Sequence, residues 1–461
     1  MIYDTIVIGG GPGGYLAAER CGQAGLNTLL IEKTSLGGTC LNEGCIPTKT
    51  LLNSAKIFRH CDDKVSAPFG VSCENANIDH GKIMMRKDQV VKTLVSGIEM
   101  QMKQNHVTVK NGIAHIQGKK NGLFQVAVDE ETFEAANLII ATGSNVLIPP
   151  IPGVQEQLAS GFVETSHEFL SDHTVPKSVV IAGGGVIGLE MAYYYNALGT
   201  HVTVIEMLDK IGGALDEDIA KRLQDVYKRE GICFILNAKL TEIGESSLTY
   251  TVDEVPKKLE CDRLLLCLGR IPATKGIGLE TLGIALGKKS EILTDNQMKT
   301  NIKNCYAVGD VNGKIMLAHT AYREAECAVN TILGIEDAMD YRFIPSVIYS
   351  HPEVAFVGYT VKSAHAAGYE DVELVQLPMQ YAGRYVAENN NGTGICKLVF
   401  DKKNKCMIGA HIMSDYASEM IVICSMLITM KITVPEMKKL VFPHPTVGEI
   451  IREAIWASKI K

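Results

Sequence analysis

Two cysteines five positions apart, Cys40 and Cys45, stand in the run Leu36-Gly37-Gly38-Thr39-Cys40-Leu41-Asn42-Glu43-Gly44-Cys45-Ile46-Pro47-Thr48-Lys49, and paired thiols can do redox chemistry. Gly37 and Gly38 release the chain from what precedes, Thr39 is placed for an N-cap, and Lys49 to Ala55 reads as helix. Both cysteines then lie at the start of that helix. Five residues at about 100° each turn through about 500°, so a regular helix would aim the two side chains roughly 140° apart. Bridging them needs a distorted turn, and Pro47 supplies a distortion by removing its own N–H and crowding the Glu43 carbonyl. A bridge in such a turn is strained and easily reduced, and the helix N-terminus favours a thiolate. Taken alone, the same spacing also fits two half-buried core cysteines or half of a zinc site.

Three further groups could take part in such chemistry. His444 stands between Pro443 and Pro445, which restrict the backbone and suit a base that must be aimed, and Glu449 could orient the imidazole and stabilise its charged form. In isolation His444 reads as a loop histidine. Lys49 follows Cys45 by one helical turn, and Glu190 follows a glycine motif by two residues; without other context both read as solvated helix charges.

The elements that would position these residues come in two copies. Tyr3 to Ile8 is an apolar strand, Gly9-x-Gly11-x-x-Gly14 a turn, the residues to about Gly25 a helix, and Glu32 ends the next strand, Asn27 to Ile31. Glycines in this setting allow a tight turn and close approach of a pyrophosphate to the helix N-terminus, while the acid can accept bonds from a ribose. Val179 to Ala182, Gly183-x-Gly185-x-x-Gly188, the strand His201 to Ile205 and Glu206 repeat the unit; Gly183 lies 174 positions after Gly9, and Glu206 the same distance after Glu32. Two nucleotide sites and a dithiol imply electron transfer through a flavin. Glu206 would bond a free 2'-hydroxyl and repel a 2'-phosphate, and Met207-Leu208-Asp209 offers no arginine, so NAD is expected.

Each unit closes on an apolar strand and turn, Leu138 to Ile140 with Ala141-Thr142-Gly143-Ser144, and Leu264 to Leu268 with Gly269-Arg270. Pro149, Pro150 and Pro152 mark a connection between the units. Beyond about Phe343 no nucleotide pattern recurs, and the strand-like segments 372–377, 395–401 and 405–412 precede a helix from Ser418 to Met430. The expected class is α/β, with two dinucleotide-binding units and a C-terminal α+β region.

At 461 residues the chain is too long for one ordinary core. A net charge of -7 gives no basic footprint for nucleic acid or anionic lipid. The longest apolar run, Met420 to Met430, is far below the roughly 20 residues needed to cross a bilayer and reads as a buried helix. Met1 leads directly into a strand, leaving no room for a targeting peptide. Thirteen cysteines without a regular framework argue for a reducing compartment, a bacterial-type cytoplasm; the eleven outside the pair read as inert core residues, and no metal site is expected.

The run from Gly37 to Lys49 resembles the redox-active motif of the class I flavoprotein pyridine nucleotide-disulfide oxidoreductases, and its wording is most similar to the dihydrolipoamide dehydrogenases within them. His444-Pro445-Thr446-x-x-Glu449 resembles the same family's base motif, and the resemblance extends over essentially the whole chain. It implies an FAD-binding domain in residues 1–150 and 272–343, an NAD-binding domain inserted at 151–271, and a dimerisation domain at 344–461. It further implies a homodimer in which His444 and Glu449 reach the partner's dithiol, and a Lys49–Glu190 pair near the flavin. It implies an FAD site that also includes Lys33, Gly38, Thr39, Gly112, Ala114, Ala141, Thr142, Gly143, Asp310 and the run Met316-Leu317-Ala318-His319, and an NAD site that includes Val186, Ile187, Leu240 and Gly269. The implied reaction oxidises dihydrolipoamide, carried by a protein of a 2-oxoacid dehydrogenase or glycine cleavage complex: its thiolate attacks Cys40, Cys45 becomes the thiolate against the flavin, and hydride passes to NAD. Phe442 departs from the pattern, since many relatives carry a histidine there. The alternative is an NAD(P)H-dependent reductase of another low-molecular-weight disulfide, opposed by Glu206 and by Ile187, where glutathione reductases place a tyrosine. A mercuric ion reductase would want a C-terminal cysteine pair, and the last cysteine is Cys424. A purely scaffolding subunit would not need Cys40, Cys45 and His444.

Overall fold

The computed structural model describes residues 2–461; Met1 and the expectation attached to it lie outside them. Three sheets organise the chain. In the first, the apolar strands 2–8 and 28–32 and the polar edge strand 108–111 pair in parallel, with Ile2–Ile8 also parallel to Glu131–Ile140. An antiparallel meander of Ala114–Lys120, Leu123–Val128 and Glu131–Ile140 extends the sheet, and Cys305–Ala307 returns from much later in the chain to pair with residues 138–140. Helix α1 (Pro12–Gln23) packs on it, followed by the short α2 (Gly38–Glu43), α3 (Cys45–Arg59) and the long α4 (His80–Gln104).

The chain leaves through Ser144–Val146 and comes back through Arg270–Pro272, which pair as an antiparallel ribbon. Between these crossings lies a five-stranded parallel sheet in the order 233–235, 201–205, 178–182, 263–266, 163–164, with α5 (Val186–Ala197) opening after the second glycine turn. Returning, the chain forms α6 (Ala318–Ile332) against α1. Residues 346–413 then build a five-stranded antiparallel sheet, on which α7 (Ala417–Thr429) and α8 (Glu449–Ala457) pack through a continuous apolar core.

The two glycine turns fold alike because the same atoms crowd them. A Cβ on Gly14 would lie 1.7 Å from the Gly9 carbonyl oxygen, and one on Gly188 would lie 2.0 Å from that of Gly183. Only glycine lets each helix approach its strand so closely.

Four sequence expectations change. Thr39 is not an N-cap: α2 begins one residue before it, Gly37 holds the cap position with a left-handed φ of 96°, and no side chain caps the helix. The distortion between the cysteines lies at Gly44 (φ -148°, ψ -109°), not at Pro47, which sits in the first turn of α3 where its missing N–H costs nothing. The run Met420 to Met430 buries one face only: Met420, Ile421, Cys424, Leu427 and Ile428 are inside, whereas Val422, Met426 and Met430 face out, since a single sheet covers one side of a helix. Of the eleven other cysteines, six are buried; Cys233 is exposed on the edge strand of the second sheet, and Cys61, Cys73, Cys267 and Cys406 are half-buried. Among the described residues no helix is long and apolar enough to cross a membrane.

Candidate active site

Cys40 and Cys45 sit on either side of the Gly44 break, Cys40 in α2 and Cys45 as the first residue of α3. A Cβ on Gly44 would stand 2.9 Å from the Thr39 carbonyl oxygen, so the kink that brings the two thiols together needs a glycine. The Asn42 amide donates to the carbonyls of Gly38 (2.9 Å) and Leu36 (3.1 Å) and ties α2 to the turn that precedes it. Gly37 N–H donates to the Gly10 carbonyl at 2.8 Å, and a Cβ on Gly38 would lie 2.6 Å from the Cα of Gly11. The dithiol segment is thus pressed onto the first nucleotide turn. Both thiols are free and half-buried.

The two are electrostatically unequal. The Cys40 thiol hydrogen-bonds Cys45 and pulls its pKa down to about 7, helped by the Lys49 charge and opposed by burial and Glu190. Cys40 moves upward, because ionising it would forfeit that bond and because it is buried. Cys45 is therefore the thiolate and Cys40 the thiol that stabilises it.

Lys49, one turn along α3, donates to both oxygens of Glu190 at 3.1 and 2.9 Å. Glu190 is 2% exposed, so these are not solvated helix charges. Removing the lysine would leave a buried carboxylate unpaired, at a cost of about 3–5 kcal/mol. The pair joins the two nucleotide-binding units across 141 positions of sequence.

At the first turn, Glu32 accepts from Gly10 N–H (2.6 Å) and Thr34 N–H (2.8 Å); at the second, Glu206 accepts from Gly184 N–H (2.7 Å) and Leu208 N–H (2.8 Å). The backbone N–H groups of Gly11, Gly13 and Gly14, and of Gly185, Val186, Ile187 and Gly188, have no acceptor among the described residues. They are the orphan donors of two helix N-termini, the donor set a dinucleotide pyrophosphate needs. Each cradle is glycine-lined where a Cβ would close it. The residues therefore fit the pyrophosphate of a dinucleotide at each of the two turns.

Around the first turn, Gly112 N–H donates to the Glu32 carbonyl at 2.9 Å, bringing Gly112 and Ala114 alongside. Ala141, Thr142 and Gly143 form the turn after residue 140, with the Thr142 hydroxyl donating to Ala273 O at 2.7 Å. Asp310 accepts from the Ser144 hydroxyl. Met316 and Leu317 lead into α6, which begins at Ala318, and His319 Nε2 donates to Pro345 O at 2.8 Å; burial holds its pKa down, so it is neutral. Lys33 is exposed and has no partner among the described residues. Around the second, Gly269 turns at φ 110°, while Leu240 packs into the apolar core of its own unit, on the strand Lys239–Ile243.

His444 and Glu449 pair with each other but not with the thiols of their own chain. His444 Nδ1 is 2.9 Å from Glu449 Oε1, and Glu449 Oε2 accepts from Thr446 N–H at 2.9 Å; that backbone bond first, and the histidine second, lower the carboxyl's pKa. The imidazole is 79% exposed, and no contact links it to Cys40, Cys45, Lys49 or Glu190.

Four further residues of the site carried no sequence signal for a role in it. Arg270, returning on the ribbon, donates to the Ser144 hydroxyl (2.7 Å) and carbonyl (2.8 Å) and reaches the Thr39 hydroxyl at 3.4 Å. The Tyr15 and Tyr322 hydroxyls meet at 2.5 Å between α1 and α6, in the apolar cluster that holds Leu41 and Ile46. Tyr349, from the third sheet, contacts both Lys49 and Glu190. For the zinc alternative, no group of three or more metal-ligating side chains gathers among the described residues.

Residues 3–325 match the family model described as pyridine nucleotide-disulphide oxidoreductase, and residues 344–455 match that of its dimerisation domain. The chain is 35% identical to the mitochondrial dihydrolipoyl dehydrogenase of Schizosaccharomyces pombe, over 99% of this chain and 90% of that protein. It is 34% identical to the dihydrolipoyl dehydrogenase of Mycoplasma genitalium, over 98% of each. Among solved structures, LpdA from Mycobacterium tuberculosis superposes with a TM-score of 0.87 at 25% identity, over 98% of this chain and 99% of that one. The HOCl-induced flavoprotein disulfide reductase RclA from Escherichia coli does so with 0.86 at 27%, over 99% and 100%.

Proposed function

The chain belongs to the pyridine nucleotide-disulphide oxidoreductases, and from that premise we propose that it is a dihydrolipoyl dehydrogenase using FAD and NAD. The observation that carries the reading is the unequal dithiol beside a Lys49–Glu190 pair that spans both nucleotide-binding units. In the oxidised protein Cys40 and Cys45 share a disulfide. A thiol of dihydrolipoamide gives its proton to a histidine base as its sulfur attacks Cys40 Sγ; the Cys40–Cys45 bond breaks, and Cys45 leaves as the thiolate its surroundings favour. The second substrate sulfur then displaces Cys40 and closes lipoamide, its proton passing to Cys40, which leaves as the thiol. Bound FAD supplies the two-electron relay from Cys45 to NAD. Lys49 and Glu190 fix the charge beside that thiolate, and the glycine turns orient the two dinucleotides.

The dimerisation domain supports a homodimer, and His444, exposed and already oriented by Glu449, is the base that the second copy receives. Glu206, flanked by exposed Met207 and Leu208 rather than arginine, selects NAD over NADP. The physiological substrate is a lipoyl-bearing protein of a 2-oxoacid dehydrogenase or glycine cleavage complex, met in a bacterial-type cytoplasm. Anaerobic titration with dihydrolipoamide and then NAD tests the reading. A long-wavelength thiolate-to-flavin band that bleaches as NADH forms supports it; no response to dihydrolipoamide, but reduction by NADPH, would move the assignment to another disulfide.

A further inference from the structure

Tyr349 follows the strand Ser346–Ile348 of the C-terminal sheet and reaches the ion pair from that third region of the chain. Its backbone N–H donates to Glu190 Oε1 at 3.0 Å, and its ring centroid lies 4.4 Å from Lys49 Nζ. Burial, with the Glu190 charge, raises the phenol's pKa, so the ring is neutral and presents an intact π face. A lysine ammonium is a compact charge on a flexible stem, and one carboxylate alone leaves it free to swing. Here it is held from two directions, by the carboxylate and by the ring. Because Lys49 lies one turn from Cys45 on α3, where the ammonium rests decides how much of its field reaches the Cys45 sulfur.

We propose that Tyr349 is a positioning residue: by clamping Lys49 between its ring and Glu190, it sets the thiolate population of Cys45. The inference rests on the reading of Cys45 as the thiolate of the redox pair. Other charged or titratable groups facing Cys45 are Cys40 from α2, Glu190 from α5, Tyr322 from α6 and Arg270 from the ribbon; the charges of Glu353 and Glu419 act on Tyr349. The neutral Tyr349 ring touches Lys49 itself, so its removal frees the lysine while leaving the other charges in place. Its backbone bond to Glu190 survives any substitution except proline, so side-chain variants isolate the ring.

The test uses the FAD-loaded protein, reduced anaerobically with dihydrolipoamide, and follows the long-wavelength thiolate-to-flavin absorbance as a function of pH, with Cys45→Ser as the blank. Tyr349→Phe keeps the π face and should titrate with the wild type. Tyr349→Leu should move the midpoint upward, so that below it the thiolate fraction falls about two- to fivefold, the range expected for a half-exposed cation–π contact. Tyr349→Trp, with a stronger π face, should move the midpoint down, and it serves if the leucine variant fails to hold FAD. A wild-type band that neither Leu nor Trp shifts overturns the inference and leaves the redox pair standing, as does an equal shift in Phe and Leu. A wild-type protein with no such band overturns both.

Discussion

Cys40 and Cys45 carry the same side chain and have opposite tendencies, and the difference is made by what each touches. Cys45 accepts a hydrogen bond and faces an ammonium; Cys40 gives that bond and gains nothing by ionising. The sign follows for pH. With the Cys45 pKa lowered to about 7, its thiolate is present above that pH and is lost as pH falls through it, so ultraviolet thiolate absorbance of the reduced protein should rise with a midpoint near 7 and vanish in Cys45→Ser. That variant should retain FAD yet lose lipoamide turnover at least a thousandfold; full activity would remove the dithiol from the route. His444→Gln should slow dihydrolipoamide oxidation by two or more orders of magnitude, the scale of general-base catalysis. NADH-to-dye transfer should stay within about threefold, since that path needs no base at the thiols; an equal loss of both would assign the histidine a structural role instead. Glu206 and Glu32 were readable as acids at strand ends, but that each is also bonded to its own glycine turn emerged only from the fold.

At the scale of elements, the two glycine turns are the same device used twice, and their crowding makes them separable by mutation. Gly188→Ala puts a Cβ 2.0 Å from a carbonyl oxygen, which no rotamer can relieve. It should raise the KM for NAD more than tenfold while FAD stays bound. Gly14→Ala, with a contact of 1.7 Å, should do the reverse and yield colourless protein, as read from the flavin absorbance of the purified variants. Loss of FAD in both would mean that the two turns do not serve separate dinucleotides. The break between α2 and α3 shows the limit of pattern reading. Proline is the usual sign of a distorted helix, and Pro47 was the visible suspect, yet in the first turn it is harmless. Gly44 makes the kink because the Thr39 carbonyl leaves no room for a side chain, and that carbonyl's position is a property of the folded loop.

The whole molecule brings together what the chain separates. Lys49, Glu190 and Tyr349 come from three different sheets' territories, with 159 positions between Glu190 and Tyr349. Lys397, 6% exposed on the C-terminal sheet, likewise pairs with Asp216 at the start of the helix Glu217–Arg229, locking the second unit to the third. The outer face of α7 remains unsatisfied in one copy, where Val422, Met426 and, just past its end, Met430 are more than half exposed, and burying that remaining apolar surface would contribute about 1–2 kcal/mol per side chain. Val422→Glu combined with Met426→Glu should therefore shift the protein from dimer to monomer in sedimentation velocity. Dihydrolipoamide turnover should fall with the dimer fraction, while NADH-to-dye transfer persists; a monomer that keeps full lipoamide activity would place the base within one chain.

The sequence by itself determined the class of the molecule and the chemistry on offer. Glycine spacing, strand-end acids and the Cys40–Cys45 motif are local patterns, and local patterns follow from backbone sterics and helix-end charges that neighbouring residues largely dictate. The duplicated spacing of 174 positions was visible for the same reason. The family resemblance already implied Cys45 as the thiolate, the Lys49–Glu190 pair and a His444 that serves a partner's dithiol; tertiary structure alone decided the contacts that make the two thiols unequal, the entry of Tyr349 beside Lys49, and the exposure of the His444 imidazole. Those outcomes depend on through-space electrostatics and packing between elements far apart in the chain, and such contacts leave no mark on the spacing of residues along it.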